Sequence, residues 1–150
     1  FNKNNRMKLF KLALSDKIGT VKFYDTNIEG SQSILKPGLF AMENYNIKAN
    51  KELEVDSDLL DNVLNDTQID CLWIDVQGAE LQVLNGARES LLRTSSIFIE
   101  VSIKGRLYDD GVIMSELNKF PAEYDFTLIS LGTDNRNLTG NAFYMKIKGI

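Results

Sequence analysis

Residues 71–80, Cys-Leu-Trp-Ile-Asp-Val-Gln-Gly-Ala-Glu, constrain the fold more than any other stretch of the chain. An apolar run that ends in an acid, meets a glycine and continues as a helical pattern is how a buried parallel strand hands over to a helix. In open α/β sheets the carboxyl ends of such strands face the crevice where ligands bind. Asp75 is therefore expected at the lip of the strand, Gly78 lets the backbone turn, and Glu80 falls in the first helical turn, where amide dipoles favour negative charge. The same residues admit a purely structural role, with Asp75 capping the helix and Glu80 complementing its dipole.

Composition narrows the chemistry. The 150 residues, 43% hydrophobic, suffice for a single domain over residues 1–150 with a real core. A formal net charge of -4 offers no basic field for nucleic acid or an anionic membrane, so neither partner is expected. No apolar stretch approaches the ~20 residues that span a bilayer, and the polar opening is unlike a signal peptide; a soluble, cytoplasmic protein is the expectation. The absence of histidine removes Ser-His-Asp and Cys-His catalysis and imidazole metal sites, leaving acid–base work to Asp, Glu, Lys, Tyr or Cys. The single cysteine, Cys71, excludes an internal disulfide, fits a reducing compartment, and is expected to pack in its strand as a small hydrophobe. Because the first residue is Phe1, a fragment or a processed product is also an expectation.

Along the chain, residues 7–14 and 20–24 have strand character around a turn containing Gly19 and suggest a hairpin or two consecutive strands. Residues 27–46 read mostly as loop, with room for a short strand at residues 33–35, and residues 47–55, weakly alternating, as an edge strand at most. Asp56, Ser57 and Asp58 offer an N-cap for a short helix carrying Leu59, Leu60, Val63 and Leu64. Beyond Gly78, Ala79, Val83, Ala87 and Leu91 form one stripe, with Leu84 beside it, in a helix of about four turns. Residues 97–102 give a second apolar strand containing Glu100. Strand, helix, strand at this spacing is a βαβ unit, so the two strands should be parallel and Asp75 and Glu100 should share one lip. Ile113, Leu117 and Phe120 mark a helix stopped by Pro121. Residues 124–131 and 141–147 should close the chain as an antiparallel pair, since ten residues are too few for a helical crossover.

Read in order, Ala13-Leu14-Ser15-Asp16, Gly19-Thr20-Val21-Lys22-Phe23-Tyr24, Ser33-Ile34-Leu35-Lys36-Pro37, Ile74-Asp75-Val76-Gln77-Gly78-Ala79-Glu80, Val83-Leu84-Asn85-Gly86-Ala87, Ile99-Glu100 and Asn141-Ala142-Phe143-Tyr144 resemble the FkbM-type methyltransferases over nearly the whole chain. The resemblance implies a Rossmann-like α/β class I methyltransferase sheet, S-adenosylmethionine as donor, and a hydroxyl of a sugar or polyketide-like molecule as acceptor. By resemblance Ser15 and Asp16 lie near the donor's adenine, Asp75, Gln77 and Gly78 on the donor side of the site, and Asp75 close to the acceptor as well. Glu80 and Tyr108 are candidates for acceptor contacts, although a solvated loop is the favoured reading of residues 108–110. With no histidine, Asp75 or Glu100 is the candidate base for the acceptor hydroxyl. Two carboxylates at one lip would raise one another's pKa or invite magnesium, and Glu100 has the alternative of pairing with Lys104 or Arg106.

The departures from the family pattern matter equally. The glycine-rich donor loop and the acid closing the second strand have no counterpart, so the sheet is expected to be incomplete, lacking its first two strands. The edge of residues 71–76 would then be unpaired, and it should be covered by rearranged N-terminal residues or by a second copy of the chain. This leaves a rival reading, a non-catalytic α/β module acting in assembly as a homodimer. Trp73 stands where the family pattern suggests a smaller or basic residue; it either fills space or walls a bound adenine.

Overall fold

The computed structural model describes residues 7–147. Its strands form two sheets, one of three strands and one of four. The four-stranded sheet contains β4 (Ile69–Ile74), β5 (Thr94–Ser102), β7 (Thr139–Lys146) and β6 (Phe126–Thr133), in that order across the sheet. β4 and β5 run parallel with Leu72 opposite Ile97 and Ile74 opposite Ile99. β7 is antiparallel to both β5 and β6, so the expected closing pair forms, with β7 inserted between β5 and β6.

One face of this sheet carries the core. Leu72, Ile74, Ile97, Ile99, Val101, Ala142 and Tyr144 pack with Val83, Leu84, Ala87 and Leu91. The expected stripe is thus buried, but its helix is two: α3 (Glu80–Asn85) and α4 (Arg88–Leu92). At the break, Gly86 lies so close to the Ser15 carbonyl that a methyl group there would collide with it. The Asp61 carboxylate restarts the helix by accepting the amides of Glu89 and Ser90, at 3.0 and 2.7 Å. Asp61 belongs to α2 (Leu60–Leu64), whose entry is fixed by Asp58 Oδ1 accepting from Leu59 N.

Among the described residues, the opposite face of the sheet is uncovered at β4, while Ser96 on β5 is buried there and Phe98 is half-buried. Cys71 is exposed, and Trp73 is 72% exposed beside Phe98, with ring centroids 4.6 Å apart. The expectation that Cys71 packs as a small hydrophobe is therefore corrected: it presumed cover on both faces, and all helical cover lies on the other. Nor do rearranged N-terminal residues cover the β4 edge within the described chain, where Met7 and Leu9 are themselves exposed; residues 1–6 lie outside it.

The second sheet has the order β1 (Ala13–Leu14), β3 (Ala49–Asp58), β2 (Gly19–Thr26). β1 and β2 do not pair with each other as a hairpin; β1 runs parallel and β2 antiparallel to β3. The expected edge strand is hence the middle one, because Val55 and Leu53 meet Val21 and Phe23 across the ladder. Between β2 and β3, α1 (Leu39–Tyr45) packs Ala41 with Ile47, Leu107 and Tyr108 in a smaller core. Pro121 does not stop a helix: α5 (Met114–Leu117) has ended, and Pro121 lies in the first turn of α6 (Lys119–Glu123), where its missing N–H costs nothing.

Candidate active site

The turn after β4 sets the geometry. Gln77 takes a left-handed φ of 55° and Gly78 a φ of 94°, which fold the chain back over the ends of β4 and β5. Gln77 Nε2 then donates to Asp75 Oδ1 at 2.7 Å and to Glu100 Oε2 at 2.8 Å. The two acids expected at one lip are there, bridged by one amide. Asp75 is exposed and does not cap α3, whose N-cap is Ala79. Glu100 does not pair with its neighbouring cations: Lys104 donates to the Arg136 carbonyl, and Arg106 binds Glu116 at 2.6 Å.

Burial governs the charges. Glu100 is pushed up to about 7, first by burial and then by the Asp75 and Glu80 charges, while the Gln77 amide pulls it down. Glu80 is 4% exposed, and burial pushes its carboxyl up as well. Its Oε1 accepts the Gly78 N–H at 2.9 Å, so Glu80 clasps the turn. Tyr108 is not on a solvated loop: it is 1% exposed, and its hydroxyl donates to Ser31 O at 2.8 Å with Gln77 Oε1 at 3.3 Å. Burial, and then the charges of Glu100, Glu80 and Asp75, push its phenol up.

Asp75 opens into a cleft of about 300 Å³ between the two sheets, lined by Leu12, Leu14, Phe23, Ile34, Val76 and Ala79 among others. Ser15 and Asp16 line a different cleft of about 570 Å³, together with Lys17, Tyr24, Gln82 and Asp109; the two clefts adjoin at Ile34. Within its cleft Ser15 is buried, its Oγ 2.7 Å from Ser57 Oγ. The apolar wall of Phe23, Ile34 and Leu12 escaped the sequence reading, whose strand patterns showed what is buried but not which two sheets face each other. Among the described residues no group of three or more Asp, Glu or Cys side chains is placed to hold a metal ion, so magnesium gains no support. No helix there is long and apolar enough to cross a membrane.

Comparison with known proteins places the chain in a family. The family model described as the methyltransferase FkbM domain matches residues 1–128. The 2-O-methyltransferase NoeI of Sinorhizobium fredii is 33% identical over 108 residues, which cover 65% of this chain and 44% of that protein. The chain thus spans less than half the length of this curated relative. No solved structure matches it.

Proposed function

Because the chain belongs to the FkbM methyltransferase family, we propose that it forms part of an S-adenosylmethionine-dependent enzyme that methylates a hydroxyl of a small-molecule or sugar-type acceptor. The Asp75–Gln77–Glu100 cluster at the mouth of the inter-sheet cleft carries the reading. The residues fit the donor: an apolar cleft with one exposed carboxylate suits a molecule that joins a flat base to a cationic methionine tail. When bound, the donor supplies an electrophilic methyl group on a sulfonium.

The chain's own residues do the rest. Asp75 faces the cleft, where its carboxylate would take the proton that the acceptor hydroxyl gives up on methylation. Glu100, pushed up to about 7 by burial and then by the Asp75 charge, stands behind Asp75 as a group that gains or loses a proton near neutral pH. Gln77 and Gly78 form the turn behind Asp75, and Ser15 and Asp16 line the adjoining cleft, on the adenine side. Glu80 acts on the acceptor only through the turn it clasps.

The strand order β4-β5-β7-β6, with β7 antiparallel, supports reading this sheet as the later half of a Rossmann-like class I fold. The bare β4 edge is where its first two strands would add. In a protein of the relative's length the remaining segment supplies them; a homodimer through the same edge is the alternative arrangement, and light scattering separates the two. Calorimetric titration with S-adenosylhomocysteine tests the function. One-site binding that weakens about tenfold in Asp75→Asn is expected, on the order of one lost charged contact. Absence of binding by a protein of the relative's full length would overturn the reading.

A further inference from the structure

A side chain other than glycine in the left-handed region is uncommon, and here it serves a purpose. With Gln77 at φ 55°, its side chain returns over the sheet lip. Both amide hydrogens are then used, one on each carboxylate. The reverse orientation would set the amide oxygen against two acids, so chemistry fixes which end faces them. Tyr108 braces the far end: its ring lies over Gly78, where a Cβ would fall 2.6 Å from Tyr108 Cδ2, and its hydroxyl spans Ser31 O and Gln77 Oε1. Neither ion pair among the described residues, Lys22–Glu52 or Arg106–Glu116, involves Asp75, Glu80 or Glu100. The amide is thus the neutral device that lets neighbouring acids share one lip.

We infer that Gln77 is a positioning residue, braced by Tyr108, which holds the Asp75 and Glu100 carboxylates side by side with Asp75 facing the cleft. Neither residue then needs to touch donor or acceptor. This rests on the methyl-transfer reading for its catalytic consequence, but its geometry can be read without turnover.

The test is a carboxyl carbon-13 NMR titration of the full chain in the original and in Gln77→Met, Gln77→Glu and Tyr108→Phe, paired with methyl-transfer kinetics on a protein of the relative's length. The groups facing Glu100 are Asp75, Glu80, Gln77 and Tyr108. Loss of the amide donors should move the Glu100 midpoint upward from about 7 in both Gln77 variants, and Tyr108→Phe should move it the same way by less. In kinetics, Gln77→Met should lower kcat about tenfold with the donor KM within about twofold, the pH profile moving upward with the NMR midpoint. An unmoved midpoint in folded Gln77→Glu or Gln77→Met overturns the inference. Shifted midpoints without methyl transfer by the unsubstituted protein uphold the positioning and overturn the proposed function instead.

Discussion

The two sheets are held together by different forces. In the four-stranded sheet the paired strands bury Leu72, Ile74, Ile97, Ile99, Val101 and Tyr144 against helices. In the three-stranded sheet the buried strand residues are Thr26 and Ser57, whose hydroxyls lie 2.7 Å from those of Ser31 and Ser15. One is a hydrophobic layer; the other is a ribbon of backbone pairing pinned by buried hydroxyl pairs. The candidate site lies at their seam, which lets a rigid strand end meet a less deeply anchored wall.

This contrast can be broken by substitution. Leu84→Ala, at a site with no exposure, should cost about 3 kcal/mol in urea unfolding, whereas Val55→Ala in the ribbon should cost less than about 1; equal costs would erase the distinction. Gly86→Ala strikes the seam, where the new methyl meets the Ser15 carbonyl, and should destabilise by about 2 kcal/mol without changing the unfolding slope. Glu100 sharpens the comparison through pH. Its folded pKa, about 7 against 4.5 for the free group, means that the folded state keeps a proton which the unfolded chain has already lost. Stability contributed by this group is full below about 4.5 and declines as pH rises through about 7, so Glu100→Gln should gain about 2 kcal/mol at pH 8 and nothing at pH 4. A small effect is expected from Ser57→Ala, about 1 kcal/mol for the hydroxyl that donates to Lys17 O at 2.9 Å and meets Ser15 Oγ. Thermal melts would show it, with no change in the four-stranded sheet.

The same contrast explains what could be read from the chain. Where residues are buried by periodicity, the pattern was plain: the stripe Ala79, Val83, Ala87, Leu91 is buried, the βαβ unit forms, and the last strands are antiparallel. Residues 49–58 read poorly because only Leu53, Val55 and Ser57 show partial or full burial on one side of a ribbon. Cys71 misled because an apolar strand does not reveal which of its faces has cover. The shared lip of Asp75 and Glu100 followed from topology alone. The Gln77 bridge and the Ser31 anchor of Tyr108 did not, since they depend on a left-handed backbone angle and a loop contact 77 residues away in sequence.

The uncovered face of β4 has an optical consequence. Trp73 is the lone tryptophan of the chain, and it already meets water in the folded state. Its emission therefore changes little when the core melts, and fluorescence will understate unfolding while circular dichroism follows it. Anything that settles over β4 will instead shift that emission to the blue, so the indole reports occupancy of the sheet face and not the integrity of the fold.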